Sequence, residues 1–327
     1  MNDRTPVIRT TTPSAAQIST VEIVEVGARD GLQNEPEILP TADKIDLIGR
    51  LVDAGARRLE AASFVNPRRV PQMADAEAVL AGLHPRTEVI LIGLVLNAKG
   101  AERAAATKAH EFGAVACASN SFGIRNQGQT SAESVEAALD ILNIARAHGR
   151  SAQVTISTAF GCPFEGEVDP GHVADMAARL AEGRPREIAL ADTIGAAVPR
   201  QVARLFARTA AAAPGVALRA HFHNTRNTGI ANAWAALEAG AHTLDSSLGG
   251  LGGCPFAPGA AGNVATEDLV YLLERSGVTT GLDLDKLIVT SHWLAARMGK
   301  TLPSMVARAG GFPRAHPPAA PHSGTEP

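Results

Sequence analysis

Short runs of β-branched and apolar residues alternate along the chain with longer Ala-rich stretches in which apolar positions recur at helical spacing. The runs predict strands over Val21–Val26, Arg58–Ala62, Val89–Val95, Ala114–Ala118, Gln153–Thr158, Glu187–Ala191, Ala217–Phe222 and Thr243–Ser246. Between them the helical spacing covers Thr41–Ala54, Val70–Leu83, Ala98–His110, Ser131–His148, Pro170–Glu182, Pro199–Ala212 and Asn227–Ala239. Two more helices are expected near Thr266–Arg275 and Leu284–Met298. Thr41, Ser131 and Asp169 stand where N-caps belong, with Pro170 at a first helical position. Gly55, Gly113, Gly149 and Gly240 are placed to stop helices just ahead of strands. Eight β/α units predict a closed parallel barrel, the TIM (β/α)8 fold, with extra C-terminal helices. The alternative is a doubly wound open sheet, which calls for GxGxxG after the first strand; that strand runs instead into Gly27-Ala28-Arg29-Asp30-Gly31.

Composition narrows the picture. The chain has 327 residues and is 45% hydrophobic, enough for a sizeable core. Barrels of roughly 250 residues fold as one unit, so residues 21–300 are expected to form a single catalytic domain. The Thr/Ser-rich segment 1–20 is expected to be a disordered leader, and the Pro-rich segment 301–327 a disordered tail. A formal net charge of −3 gives no reason to expect nucleic acid or an anionic membrane face as a partner. No stretch approaches the ~18 uninterrupted apolar residues of a membrane span. Three cysteines, an odd and sparse count, fit a reducing cytosol, so a cytoplasmic location is expected.

Active sites of such barrels lie at the C-terminal ends of the strands. The seventh strand ends in His221-Phe222-His223, and residues two apart on a strand share a face, so both imidazoles can point at the barrel mouth. Two histidines and a carboxylate make a divalent-metal shell, which by ligand type alone could also hold iron or zinc. Asp30, at the end of the first strand, is the candidate carboxylate; it could instead cap the turn there. Glu60 lies within the second strand and needs a polar partner if buried, in the site or in an ordinary barrel ion pair. Asp192 closes the sixth strand as a candidate acid or base, or as a cap for the following turn. Asn263 precedes a helix as an N-cap or an amide-oxygen ligand. After the eighth strand, Gly249-Gly250-Leu251-Gly252-Gly253-Cys254-Pro255 makes a loop able to approach a ligand closely and to present the Cys254 thiol. Cys117, inside a strand, reads as inert core, and Cys162 is left open.

Several of these segments resemble the hydroxymethylglutaryl-CoA lyase family. They are Val24 to Glu35 (Val-Glu-Val-Gly-Ala-Arg-Asp-Gly-Leu-Gln-Asn-Glu), Ala62-Ser63-Phe64-Val65 with Val70-Pro71-Gln72-Met73, Phe160 to Gly166, Ala191-Asp192-Thr193-Ile194-Gly195, and Gly249 to Pro255 followed by Gly262-Asn263. They occur in register over about Val21–Gly281. The resemblance implies an Mg²⁺ or Mn²⁺ site of Asp30, His221, His223 and Asn263. It implies that Arg29 stabilises an enolate oxygen, that Glu60 holds Arg29, and that Asp192 and Cys254 move protons. Arg29, Gln33 and Ser63 would touch the substrate, an acyl-CoA thioester. The reaction it implies is retro-Claisen cleavage of 3-hydroxy-3-methylglutaryl-CoA to acetoacetate and acetyl-CoA, usually in leucine catabolism, by a homo-oligomer such as a dimer.

The family typically continues its His-x-His with Asp-Thr-Tyr-Gly, whereas this chain has Asn224-Thr225-Arg226-Asn227, and Asn120 stands where the family often has Glu. Loop drift is one reading. The other is a shifted acyl group: a citramalyl-, methylmalyl- or longer branched hydroxyglutaryl-CoA. A Claisen-type acyltransferase like isopropylmalate or homocitrate synthase is a further alternative, as is a barrel that binds acyl-CoA without turnover.

Overall fold

The computed structural model describes residues 18–84, 86–253 and 262–313. Eight parallel strands, β1 (Glu22–Glu25), β2 (Arg58–Ser63), β3 (Ile90–Leu94), β4 (Glu111–Cys117), β5 (Ser151–Ser157), β6 (Glu187–Asp192), β7 (Ala217–Phe222) and β8 (Thr243–Ser246), close into a barrel in chain order. Register closes it: Val24 pairs with Arg58 of β2 on one side and with Asp245 of β8 on the other. The helices are α1 (Thr41–Asp53), α2 (Ala76–Gly82), α3 (Ala98–Ala105), α4 (Asn120–Gln127), α5 (Ser131–Ala147), α6 (Pro170–Ala181), α7 (Pro199–Ala212), α8 (Gly229–Glu238), α9 (Thr266–Arg275), α10 (Leu284–Met298) and α11 (Met305–Ala309).

Strand alternation sorts the side chains into two layers. On β7, Leu218, Ala220 and Phe222 join the main apolar core between strands and helices. Their neighbours Arg219, His221 and His223 face the barrel interior, where Val24, Val26 and Ile92 form a small separate apolar cluster. The interior is otherwise strongly charged. Arg58, fully buried, pairs with Glu22, Glu111 and Glu187, and Arg219 pairs with Glu60, Glu187 and Asp245. Buried charges are tolerated because each has several oppositely charged partners.

The sequence reading departs from the structure at several points. Gly113 lies inside β4, because a Cβ there would meet the Gln153 amide at 2.9 Å in the crowded interior. Ser131 is the first residue of α5; the cap is Thr130, which forms a capping box with Glu133. Pro40 occupies the cap position of α1, and the Thr41 hydroxyl donates to Asp75 at 2.6 Å. The stretch expected as one helix over Val70–Leu83 is a 3-10 turn at Pro71–Met73 followed by α2, and α3 stops at Ala105. Asp169 caps α6 as expected.

Helix α4 was not foreseen. The tail boundary at 301 also needs correction. Leu302, Ser304 and Ala307 are buried, Ser304 Oγ donates to Asp268 at 2.9 Å, and the Ser304 amide donates to Gly249 O at 3.0 Å. Composition argued for disorder there, but those three residues fit the surface of α9 and the β8 loop. Residues 1–17 and 314–327 lie outside the described residues. Among the described residues no helix is long and apolar enough to cross a membrane.

Candidate active site

The chain leaves β1 through a single π-type turn, Gly27–Gly31, in which the amides of Arg29, Asp30 and Gly31 all donate to Val26 O. Such turns concentrate at functional sites. The backbone holds this turn by itself, so the Asp30 carboxylate is not its cap. It accepts instead from Arg29 Nη1 at 2.6 Å and from Asn263 Nδ2 at 2.9 Å. Next to it, β2 carries a register shift between Glu60 and Ala62. A bulge of this kind re-aims side chains, and Glu60 accepts from Arg29 Nε at 2.7 Å while also pairing with Arg219. Arg29 is thereby gripped from two sides at 8% exposure.

Ligand-type atoms of Asp30, His221 and His223 lie within 4.8 Å of one another. Three observations show that this set suits a cation. His221 Nδ1 lies 3.0 Å from Asp245 Oδ2, an arrangement that fixes the ring and leaves Nε2 toward Asp30. His223 Nδ1 is buried without a hydrogen-bond partner. Asn263 spends both amide hydrogens, on Asp30 and on Leu251 O, leaving its buried Oδ1 unpartnered. Orphaned buried acceptors are costly unless something completes them.

The electrostatics agree with cation binding. Burial alone would raise the Asp30 carboxyl, but Arg29, then His221, His223 and Asn263, hold it well below the usual carboxylate range. Burial, then the nearby His221, lowers His223 to about 4, keeping it a neutral donor. Asn263 is not an N-cap: α9 begins at Thr266 with Ala265 in the cap position. Gly252, at φ +95°, passes so close that a Cβ would meet Asp30 O at 2.7 Å and Asn263 Nδ2 at 2.8 Å. A side chain there would dislodge two members of the set.

A cavity opens over these groups, lined at its inner end by Arg29, Asp30, Gln33, Glu60, His221 and His223. Its outer walls include Leu94, Leu96, Val115, Phe122 and Thr193. Gln33 presents a buried, unpartnered Oε1 to it. Ser63 is fully buried, with an unpartnered hydroxyl, and does not line the cavity. Asp192 also stays off the wall. Its oxygens accept from the amides of Ala196 and Ala197, each at 2.9 Å, so it caps the β6–α7 turn, and burial raises its carboxyl. These placements say what the two side chains touch, and the acid–base role expected of Asp192 and the substrate contact expected of Ser63 stand as proposals. Cys254 lies outside the described residues. Cys117 and Cys162 are buried in one small cluster with Phe122, behind the cavity wall, and burial pushes Cys117 up to about 11.

The positions that depart from the family pattern bond to loop backbone. Arg226 Nη1 donates to Ile194 O and Gly195 O, both at 3.0 Å. Asn224 Oδ1 accepts from the Gly229 amide at 3.0 Å, and Asn120 Oδ1 accepts from Ser131 N at 2.8 Å. All three hold loop backbone together. Asp245 and Arg219 are the members of the site that strand-end motifs missed. The spacing of Arg219, His221 and His223 on one strand face was the available signal for Arg219.

Comparison with known proteins agrees with this geometry. A family described as HMGL-like matches residues 20–294. The chain is 45% identical to the (R)-citramalyl-CoA lyase of Chloroflexus aurantiacus, over 90% of this chain and 96% of the relative. It is 44% identical to the hydroxymethylglutaryl-CoA lyase of Pseudomonas mevalonii, over 86% and 94%. A solved HMG-CoA lyase from Acinetobacter baumannii, in complex with coenzyme A and 3-methylmalate, superimposes with a TM-score of 0.87 at 41% identity, covering 91% of this chain and 98% of the other. The family implies a divalent metal, which the Asp30, His221 and His223 cluster fits. With its barrel mouth, its converging ligand atoms and these relatives, the chain belongs to the HMGL-like family and is a carbon–carbon lyase.

Proposed function

We propose that this chain cleaves 3-hydroxy-3-methylglutaryl-CoA to acetoacetate and acetyl-CoA with Mg²⁺ or Mn²⁺ held by Asp30, His221, His223 and Asn263 Oδ1. The observation that carries the reading is the pair of buried, unpartnered ligand-type atoms, His223 Nδ1 and Asn263 Oδ1, beside Asp30 at the mouth. A mixed oxygen and imidazole set of this kind suits Mg²⁺ or Mn²⁺ when the substrate adds further oxygens. Bound there, the ion would polarise the thioester carbonyl and make the substrate hydroxyl more acidic.

The protein's own groups account for the rest. Arg29, immobilised by Glu60 and Asp30, places a fixed positive charge where enolate charge develops as the carbon–carbon bond breaks. Gln33 offers an amide at the same end of the cavity. The apolar wall of Leu94, Leu96, Val115 and Phe122 accommodates the methyl-bearing skeleton. Cys254, on the glycine-rich loop, is the group we assign to protonate the acetyl-CoA carbanion. Asp192, whose carboxyl burial raises and whose oxygens each keep a lone pair beside the amide they accept from, is the group we assign to take the proton from the substrate hydroxyl as the carbon–carbon bond breaks.

A second reading is favoured by one finding: the citramalyl-CoA lyase of Chloroflexus is as similar to this chain as the hydroxymethylglutaryl-CoA lyases. Citramalyl-CoA split at the corresponding bond yields pyruvate in place of acetoacetate. The test is to strip the protein with a chelator, restore Mg²⁺ or Mn²⁺, and assay both thioesters for acetyl-CoA, acetoacetate and pyruvate. The proposal expects kcat/KM for hydroxymethylglutaryl-CoA to exceed that for citramalyl-CoA by about tenfold or more, the scale on which pockets discriminate such differences. The reverse preference moves the assignment to the second reading. Undiminished cleavage after chelation, or in His223→Ala, would remove the metal site.

A further inference from the structure

At the opposite end of the barrel, away from the catalytic mouth, a second cavity of about 420 Å³ lies between α1 and the segments that lead into β3, β4 and β5. That volume is in the range of small-molecule sites. Ile48, Val52, Leu83 and Leu91 supply apolar wall, and Arg86, Lys108, His110 and Arg150 line it with no carboxylate among the described residues. Two of these groups are occupied. Arg86 pairs with Asp53 at 2.9 Å, and Lys108 Nζ donates to Ala81 O and Leu83 O at 2.8 and 2.9 Å.

The other two are not. The Leu91 amide donates to His110 Nδ1 at 3.1 Å, so the ring carries its hydrogen on Nε2, for which no described residue is an acceptor. Arg150 Nε is buried without a partner, and its Nη2 reaches only Thr107 O at 3.4 Å. Both groups line the same cavity, and partial burial and then the charge of Arg150 lower His110. Gly49, in the middle of α1, faces the same cavity, and a Cβ added there would meet nothing within 4 Å. Glycine inside a helix is unfavourable without a reason; here its bareness keeps the chamber open.

We propose that this chamber is a binding site for a carboxylate bearing an apolar chain, its head on Arg150 and His110 Nε2 and its tail against Ile48, Val52 and Leu91. A guanidinium and a ring N–H satisfy a carboxylate by charge-assisted hydrogen bonds, and the chain removes apolar wall from water. The site is separate from the catalytic cavity and does not depend on which thioester the enzyme cleaves.

The test is titration of the full chain with octanoate, followed by calorimetry, in the presence of saturating coenzyme A to fill the catalytic mouth. Saturable binding is expected, with acetate and octanol each weaker by about tenfold or more, because each lacks one half of the recognition. Arg150→Met should weaken octanoate by roughly tenfold, the scale of one charge-assisted hydrogen bond. Gly49→Leu should abolish binding by filling the gap, and because it improves helix propensity its Tm should not fall below that of the parent. Gly49→Leu keeps the test decisive even if Arg150→Met fails to fold. No saturable binding, binding that coenzyme A displaces, or binding unchanged in Gly49→Leu would overturn the proposal.

Discussion

The barrel interior and the layer just behind β1 both bury carboxylates, and treat them in opposite ways. Inside, Asp30, Glu60, Glu187 and Asp245 face the guanidinium groups of Arg29 and Arg219, and Asp30 and Asp245 are held below the usual carboxylate range against the effect of burial. Behind β1, Glu25 and Glu267 meet neutral donors. Glu25 accepts from the amides of Gly27 and Leu248 and from the Thr266 hydroxyl, and Glu267 accepts from the Gly249 amide. Burial raises both to about 7, against those hydrogen bonds. Neutral donors tether the 3-10 turn Leu248–Gly250 that leads into the glycine-rich loop, but they do not replace the solvation a charge loses. Guanidinium groups do, and that is where the chain places Asp30, the carboxylate proposed to hold the metal.

The strongest way to break this contrast is Arg219→Met, which keeps the stem and removes the charge. Glu60, Glu187 and Asp245 would then be buried around an apolar side chain. A loss of about 3–5 kcal/mol in urea denaturation is expected, the cost of removing one partner from a buried ion network in which Glu60 keeps Arg29, Glu187 keeps Arg58 and Asp245 keeps His221. A loss below about 1 kcal/mol would mean that these carboxylates do not need the guanidinium.

A smaller effect sharpens the other side. A carboxyl raised on folding contributes stability that is complete below its ordinary value and is lost as pH rises through the folded value. For Glu25 and Glu267 that interval runs from 4.5 to about 7. At about 1.4 kcal/mol per pH unit, each group costs roughly 3 kcal/mol by the upper end. Glu25→Gln should therefore remove about half of the decline in denaturation midpoint between about pH 5 and pH 8. An unchanged decline would place the titrating groups elsewhere.

The smallest effect belongs to Arg226, which lies outside both regions and only ties two loop carbonyls. Arg226→Ala should shift stability by no more than about 0.5 kcal/mol, as for ordinary surface changes, and leave the preference between the two thioesters unchanged. A switched preference would return acyl specificity to that loop.

Much of this was legible in the sequence because barrel strands and helices have strong local periods. The ranges of β7, β8, α7, α9 and α10 coincide with those expected from pattern alone. Errors fall where a distant contact overrules a local signal. Gly113 is read as a helix stop but makes room for Gln153. Residues 302–309 look disordered by composition, yet Leu302 and Ser304 fit under Gly249 and against α9.

The sequence by itself determined the strand order, from the run of eight β/α units, and the burial alternation and the presence of His221 and His223 on one face of one strand, from spacing along single elements. It also carried Arg29, Asp30 and Asn263 as candidates. Only the tertiary structure decided what each polar group is occupied with. Asp192 and Arg226 bond to loop backbone, Ser63 is buried, Asp245 holds His221, and His223 Nδ1 and Asn263 Oδ1 are left without partners. The reason is that hydrogen-bond capacity is divided among groups far apart in the chain. Asp30 meets Asn263 across 233 positions, and no local pattern records which donors and acceptors remain over once barrel closure brings them together.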